Sequence, residues 1–207
     1  MIWPIRNTLI FAAWLLLGSG LFPCSSLSQS RNSFPGRRIG GGTRGECSAR
    51  QIIHLVPATS VFAPGPQGLI GWIEGPSSDL KPIEVVLRNQ NTSDLVLSRS
   101  FPSMGSRIVL LRLPQKLAFP LVWESSYQCV DPSANSQFGL FGAGGSPSAI
   151  SLLVVDSVPD DSAIQSYLKE MLNNCGTNTS VATITGLFEL RDALSSHGLE
   201  ALPVVCH

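Results

Sequence analysis

Charge is scarce in this chain. Asp, Glu, Lys and Arg make up only 14% of its 207 residues, about half the usual share. That disfavours long helices with charged outer faces, while the abundant Gly, Pro and Ser point to short strands joined by turns. Fourteen basic residues balance fourteen acidic ones, so no global field draws the chain toward nucleic acid or an anionic membrane. The three histidines, at 54, 197 and 207, show neither HxxxH spacing nor a local carboxylate pattern, and a lone strand histidine such as His54 reads as structural. Without CxxC, neither a zinc ribbon nor a dithiol redox centre is expected. No GxSxG elbow marks a serine hydrolase, and no GK[ST] follows a glycine-rich stretch as a phosphate loop requires. The scattered carboxylates define no glycosidase pair. No catalytic residue, cofactor or metal ligand can be named.

Long apolar runs are missing too. Residues 9–17 are apolar without a charge, but a membrane span needs about 20 such residues. With Arg6 before it and Gly18, Ser19 and Gly20 after it, the run reads as the core of a signal peptide over residues 1–28. Ser26 and Ser28 then stand at −3 and −1 for cleavage before Gln29. Export to the periplasm or beyond is expected, with no stable membrane span after processing. The alternatives are a lipid anchor through Cys24 or retention by an uncleaved signal anchor. Residues 29–35 read as a disordered linker.

What the sequence does have begins at residues 36–47, Gly-Arg-Arg-Ile-Gly-Gly-Gly-Thr-Arg-Gly-Glu-Cys. Five glycines make this stretch poor helix and poor strand. Residues 31–50 carry five arginines against Glu46 alone, whereas residues 51–207 carry eight basic and thirteen acidic residues. Two readings follow for Arg37, Arg38 and Arg44. Consecutive glycine N–H groups and guanidiniums could cradle an anion. Alternatively, and preferred, the glycines let the chain pass close to the body while the arginines bond carbonyls or acidic side chains.

Cys47, Cys129, Cys175 and Cys206 form an even set in an exported chain, which implies two disulfides with three pairings open. In residues 121–129, Leu121, Trp123, Tyr127 and Cys129 share one face and Glu124, Ser126 and Gln128 the other, a strand period of two. Cys129 thus points with the core residues, where Cys47 could meet it, leaving Cys175 with Cys206. By chain entropy the two loops would contribute at most about 4.5 and 3.5 kcal/mol.

Strands are expected over 51–56, 69–74, 83–88, 95–101, 107–113 and 121–129, with a last one over 151–157. Between 138 and 148 lies a glycine-rich loop. After residue 158 the period changes. Ile164, Tyr167, Leu168, Met171, Leu172 and Cys175 fall on one helical stripe, with Asp160 or Asp161 as cap and Gly176 as stop. A second helix is expected over 184–197, ending at Gly198. The fold expected is mainly β: an immunoglobulin-like antiparallel β-sandwich over 36–157, with a small helical extension over 158–207, α+β overall.

The motif at residues 36–47 closely resembles the opening signature of a family of uncharacterised exported cyanobacterial proteins, the domain of unknown function 928. His54-Leu55-Val56-Pro57, residues 107–114 and residues 123–129 resemble later strands of that family, over some 100–150 residues in all. Cys175 and Cys206 look peculiar to this chain. The resemblance implies secretion and a β-rich fold, and it brings no activity or catalytic residue. The function expected is an exported, non-catalytic binding or interaction module of the envelope or extracellular space. Its partner would be a protein or polysaccharide, not nucleic acid. The alternatives are an envelope hydrolase with dispersed catalytic residues, or a structural assembly partner of surface proteins.

Overall fold

A computed structural model describes residues 34–41, 51–76, 81–102, 104–127, 147–194 and 198–207. The signal peptide, Cys24, Arg44, Cys47, Cys129 and most of the glycine-rich loop lie outside these residues.

The described chain is mainly β, in two mixed sheets. The first holds six strands in the order β1 (Ile39–Gly40), β2 (Ile52–His54), β4 (Leu69–Glu74), β7 (Arg107–Arg112), β11 (Ala201–Cys206) and β10 (Asn178–Ser180). The second holds β3 (Val61–Phe62), β9 (Ala149–Leu153), β8 (Leu121–Tyr127), β5 (Ile83–Asn89) and β6 (Leu95–Phe101). Trp72 of β4 meets Trp123 of β8 edge-to-face at 6.4 Å and Phe101 of β6 at 5.2 Å. The inner faces of the two sheets therefore share one core, an arrangement consistent with a β-sandwich.

Burial explains which strands alternate. In β8 every second residue, from Leu121 to Tyr127, is buried, as one-sided packing requires. All six residues of β4 are buried. One face of β4 meets the second sheet and the other meets the long helix α1 (Pro159–Asn173), whose Ile164, Leu168 and Met171 are buried. Gly71 sits at that contact. A methyl group there would come within 2.8 Å of Leu110 Cδ2 and 3.2 Å of Leu168 Cδ2.

Several expectations need correction. The sheets are not purely antiparallel, because β11 runs parallel to β7 and β3 parallel to β9. The C-terminal part is not only helical: β11 enters the first sheet between β7 and β10. Pro203, which has no N–H to give, lies just before the three residues of β11 that pair with β7. The second helix is broken into α2 (Val181–Leu187) and the single turn α3 (Arg191–Leu194). Glu189 takes a positive φ of 52° at the break, which brings Phe188, Leu190 and Leu194 together in the core. The cap of α1 is Val158, and Asp161 reaches back to accept from its N–H at 2.9 Å. The second carboxylate oxygen of Asp161 accepts from Ala63 N–H at 3.3 Å, tying the helix start to the chain after β3.

Within the opening stretch Ile39–Gly40 do form a strand, short as it is. Gly40 and Ile39 pair with Ile52 and Ile53 of β2. On the other side, Ile150 N–H donates to the Arg37 carbonyl and Gly41 N–H to the Pro147 carbonyl, both at 2.7 Å. This stretch therefore bridges both sheets along one edge. Only glycine fits at 40, because a Cβ there would run into the backbone at Ala149.

Across the first sheet, Arg107 and Glu74 stand opposite each other and form a buried ion pair at 3.0 Å. The Arg107 guanidinium also donates to the Pro102 carbonyl.

Candidate functional site

The arginines of the opening stretch divide. Arg37 is exposed. Arg38 is half-buried, and its guanidinium donates to the Val56 carbonyl at 2.9 Å and the Glu189 carbonyl at 3.2 Å. Burial lowers its pKa, an effect the Glu189 carboxylate opposes. Arg38 thus acts as a brace between β2 and the α2–α3 break. It is the role that the structural reading assigned to these arginines. Gly42, Arg44 and Gly45, which the cradle reading also needs, lie outside the described residues.

His54, which the sequence reads as structural rather than catalytic, is fully buried. Its ring stacks on Trp123 at 3.5 Å and 8°. Nδ1 lies 2.9 Å from Ser151 Oγ, and Nε2 lies 2.9 Å from Ser125 Oγ. Trp123 Nε1–H donates to the same Ser125 oxygen at 3.0 Å. A neutral imidazole has one donor and one acceptor nitrogen. With Ser125 Oγ already accepting from tryptophan, its hydroxyl proton can serve Nε2, and Nδ1–H can serve Ser151. Every ring nitrogen is satisfied inside the core, with no carboxylate to orient it and no route for a substrate. A Ser–His contact so enclosed holds the sheets together; it does not attack an ester.

Desolvation holds the His54 pKa well below the ordinary 6.5. The sign follows from linkage. Below about pH 6.5 the unfolded chain takes up a proton that the folded core refuses, so stability falls as pH falls. Burial, Arg99 and Arg107 also lower the pKa of the mostly exposed His207, against an opposing pull from Glu74, and this acts in the same direction. Between pH 6.5 and 5 the His54 part should approach a loss of about 1.4 kcal/mol per pH unit. Urea midpoints measured across that range should show the slope, and His54→Gln should flatten it. An equal slope in the variant would mean that the ring is protonated in the fold.

Open surface with polar character gathers elsewhere. A groove of about 580 Å³ lies between α1 and the connection from β7 to β8. Arg112 at the end of β7, Lys116 in the connection and Lys169 on α1 all line it. Gln67, Gln115 and Asn173 contribute amides, and among the described residues no Asp, Glu, His or Cys lines it. Among the described residues none of the three cations has an ion pair or a side-chain hydrogen bond. A smaller hollow of about 180 Å³ shares Pro66, Gln67 and Lys169 with the groove and extends it past Gln165 and Ser166. The walls follow from local structure. Gln165, Lys169 and Asn173 recur every four residues and so lie along one polar stripe of α1, beside its buried stripe. Gly65 and Gly68 take positive φ of 68° and 59° in the turn that carries Gln67. Sequence reasoning missed this site, because only the α1 stripe is periodic.

The far end of α1 is fastened by a disulfide between Cys175 and Cys206, with Cα atoms 5.9 Å apart. This is the pairing expected for these two cysteines. Cys206 lies on the helix-facing side of β11, and Arg112 N–H donates to the His207 carbonyl at 3.1 Å. The groove wall on α1 and the groove wall on β7 thus both attach to β11. Among the described residues no group of three or more His, Cys, Asp or Glu could hold a metal ion, and no helix is long and apolar enough to cross a membrane. No protein-family model matches this chain, and no curated protein or solved structure matches it either.

Proposed function

We propose that this protein is an exported, non-catalytic binding module of the envelope or extracellular space. The observation that carries the proposal is the groove beside α1, where, among the described residues, three unpaired cations and three amides converge without a carboxylate or histidine. Such a lining can hold a ligand through charge-assisted hydrogen bonds, but it contains no acid–base pair with which to cleave one. Export rests on the signal-like residues 1–28 and on the likeness of residues 36–47 to the domain of unknown function 928. The Cys175–Cys206 disulfide supports it weakly, as a bond favoured in oxidising compartments. An immunoglobulin-like form of the sandwich belongs to the same proposal, supported by the tryptophan-centred contact between two sheets.

The test mixes the purified, oxidised protein with envelope fragments. Co-sedimentation without release of soluble sugar or peptide is the expected result. Steady release of fragments would establish the hydrolase alternative instead.

A specific observation favours a second reading, the structural assembly partner. Strand β6 forms an outer edge of its sheet and leaves Leu95 and Val96 exposed. Beside it, Val96, Leu117 and Phe119 border an apolar hollow of about 120 Å³. Open edges of this kind accept added strands.

A further inference from the structure

We infer that the groove formed by Arg112, Lys116 and Lys169 binds an acidic polysaccharide, a sugar chain bearing carboxylate or sulfate groups. The inference rests on the binding-module reading and names the ligand class of the same site.

Charge supplies the first argument. Residues 51–207 hold eight basic residues against thirteen acidic ones, yet three of the eight line this groove and no acidic residue among the described ones does. Like charges held around one groove repel each other, and no protein anion among the described residues relieves them. A bound anion would.

Shape supplies the second. The groove continues into the hollow beside Gln165 and Ser166 through the shared Pro66, Gln67 and Lys169. A track of this kind suits a linear chain with repeated anionic groups better than one isolated phosphate.

Chemistry of the walls supplies the third. The amides of Gln67, Gln115 and Asn173 both donate and accept, which matches sugar hydroxyls. Arg112 can meet a carboxylate or sulfate with two parallel N–H bonds. Among the described residues no aromatic side chain lines either hollow, so they offer no stacking platform of the kind on which single-stranded nucleic acids rely.

The probes are polygalacturonate, dextran sulfate and neutral dextran, each immobilised, with the oxidised full chain passed over them. Retention on one or both of the acidic polymers, absent on neutral dextran and weakening as salt rises, is the expected result. Replacing Arg112, Lys116 and Lys169 together with Gln should weaken binding about tenfold or more, since each exposed contact adds up to roughly 1 kcal/mol and 1.4 kcal/mol is a factor of ten. These side chains are exposed, so an unchanged thermal midpoint should confirm that the variant folds. A control with Lys81, Arg88 and Arg99 changed to Gln loses equal charge elsewhere and should bind as the parent does. Equal loss in the control, undiminished binding by the groove variant, or equal retention on neutral dextran would each overturn the inference. So would tighter binding to oligothymidylate, or competition by inorganic phosphate as effective as by the polymer at equal charge. Envelope binding without retention on either acidic polymer would reject this ligand class and leave the binding-module reading standing. Fragment release would reject that reading itself.

Discussion

Arg107→Ala is expected to cost about 3–5 kcal/mol of stability, because it takes the guanidinium away from the buried Glu74 carboxylate that faces it. Both side chains lie almost wholly out of solvent, at 3% and 0% exposure, so water cannot make good the loss. The substitution also removes the donor to the Pro102 carbonyl just beyond β6, where the two sheets approach. Replacing Glu74 and Arg107 together with Met should be far milder than the single change. Two apolar groups of similar volume bring no desolvation penalty, and such swaps are often neutral. Urea unfolding of the parent, Glu74→Met, Arg107→Met and the double Met variant closes the cycle. If Arg107→Ala shifted stability by less than about 1 kcal/mol, the pair would be behaving as a solvated surface bridge.

Reducing the Cys175–Cys206 disulfide should be the next most damaging change, with a loss of up to about 3.5 kcal/mol for a loop whose ends are 31 residues apart. The effect should also be local. Cys175 is exposed, so a small reductant reaches it without prior unfolding. Freed from α1, β11 keeps its pairing with β7 and β10 but loses the constraint on its helix-facing side. Amide exchange should therefore quicken in β10, β11 and the last turn of α1, while β5 and β8 stay protected. A Cys175→Ser/Cys206→Ser variant should reproduce the pattern. Coincident denaturation curves with and without reductant would show that packing of Leu202 and Val204 alone holds the strand.

How much of this was legible in the sequence depends on where each strand finds its partners. Strands β5, β6 and β8 pair within one local stretch of chain and pack one face, so period-two alternation and the turns between them located them well. Strand β4 was found as an apolar run bounded by Gly and Pro. Its two-sided burial was not foreseen, since it depends on α1 arriving about ninety residues later. Strands β1 and β3 have two residues each, too few to show any period. Strand β11 was read as part of the helical extension over 158–207, because its partner β7 leaves no local trace.

The candidate site follows the same rule. Ser125 falls on the buried face of an otherwise apolar strand, a sign that a polar partner waits opposite. That partner, His54, became visible only when β2 was placed over β8. Arg112, Lys116 and Lys169 come from three elements, and nothing in their spacing announces that they converge. Arg37 and Arg38, which did catch the eye as a run, turn out to be separated by function: one faces solvent and the other braces the core.

The two parallel pairings have a kinetic consequence. Val204 lies opposite Ile108, and Val61 opposite Leu152, so each registers residues about ninety to a hundred positions apart. Contacts of such high order are slow to form, on the millisecond-to-second scale, because loop closure must precede any reward from pairing. While β11 is unplaced, β7 presents a bare apolar edge of Ile108, Val109, Leu110 and Leu111. The most aggregation-prone moment in the life of this protein is therefore the interval before its final strand docks, and a holding chaperone that shields β7 would be expected to raise the refolding yield more than one that shields β6.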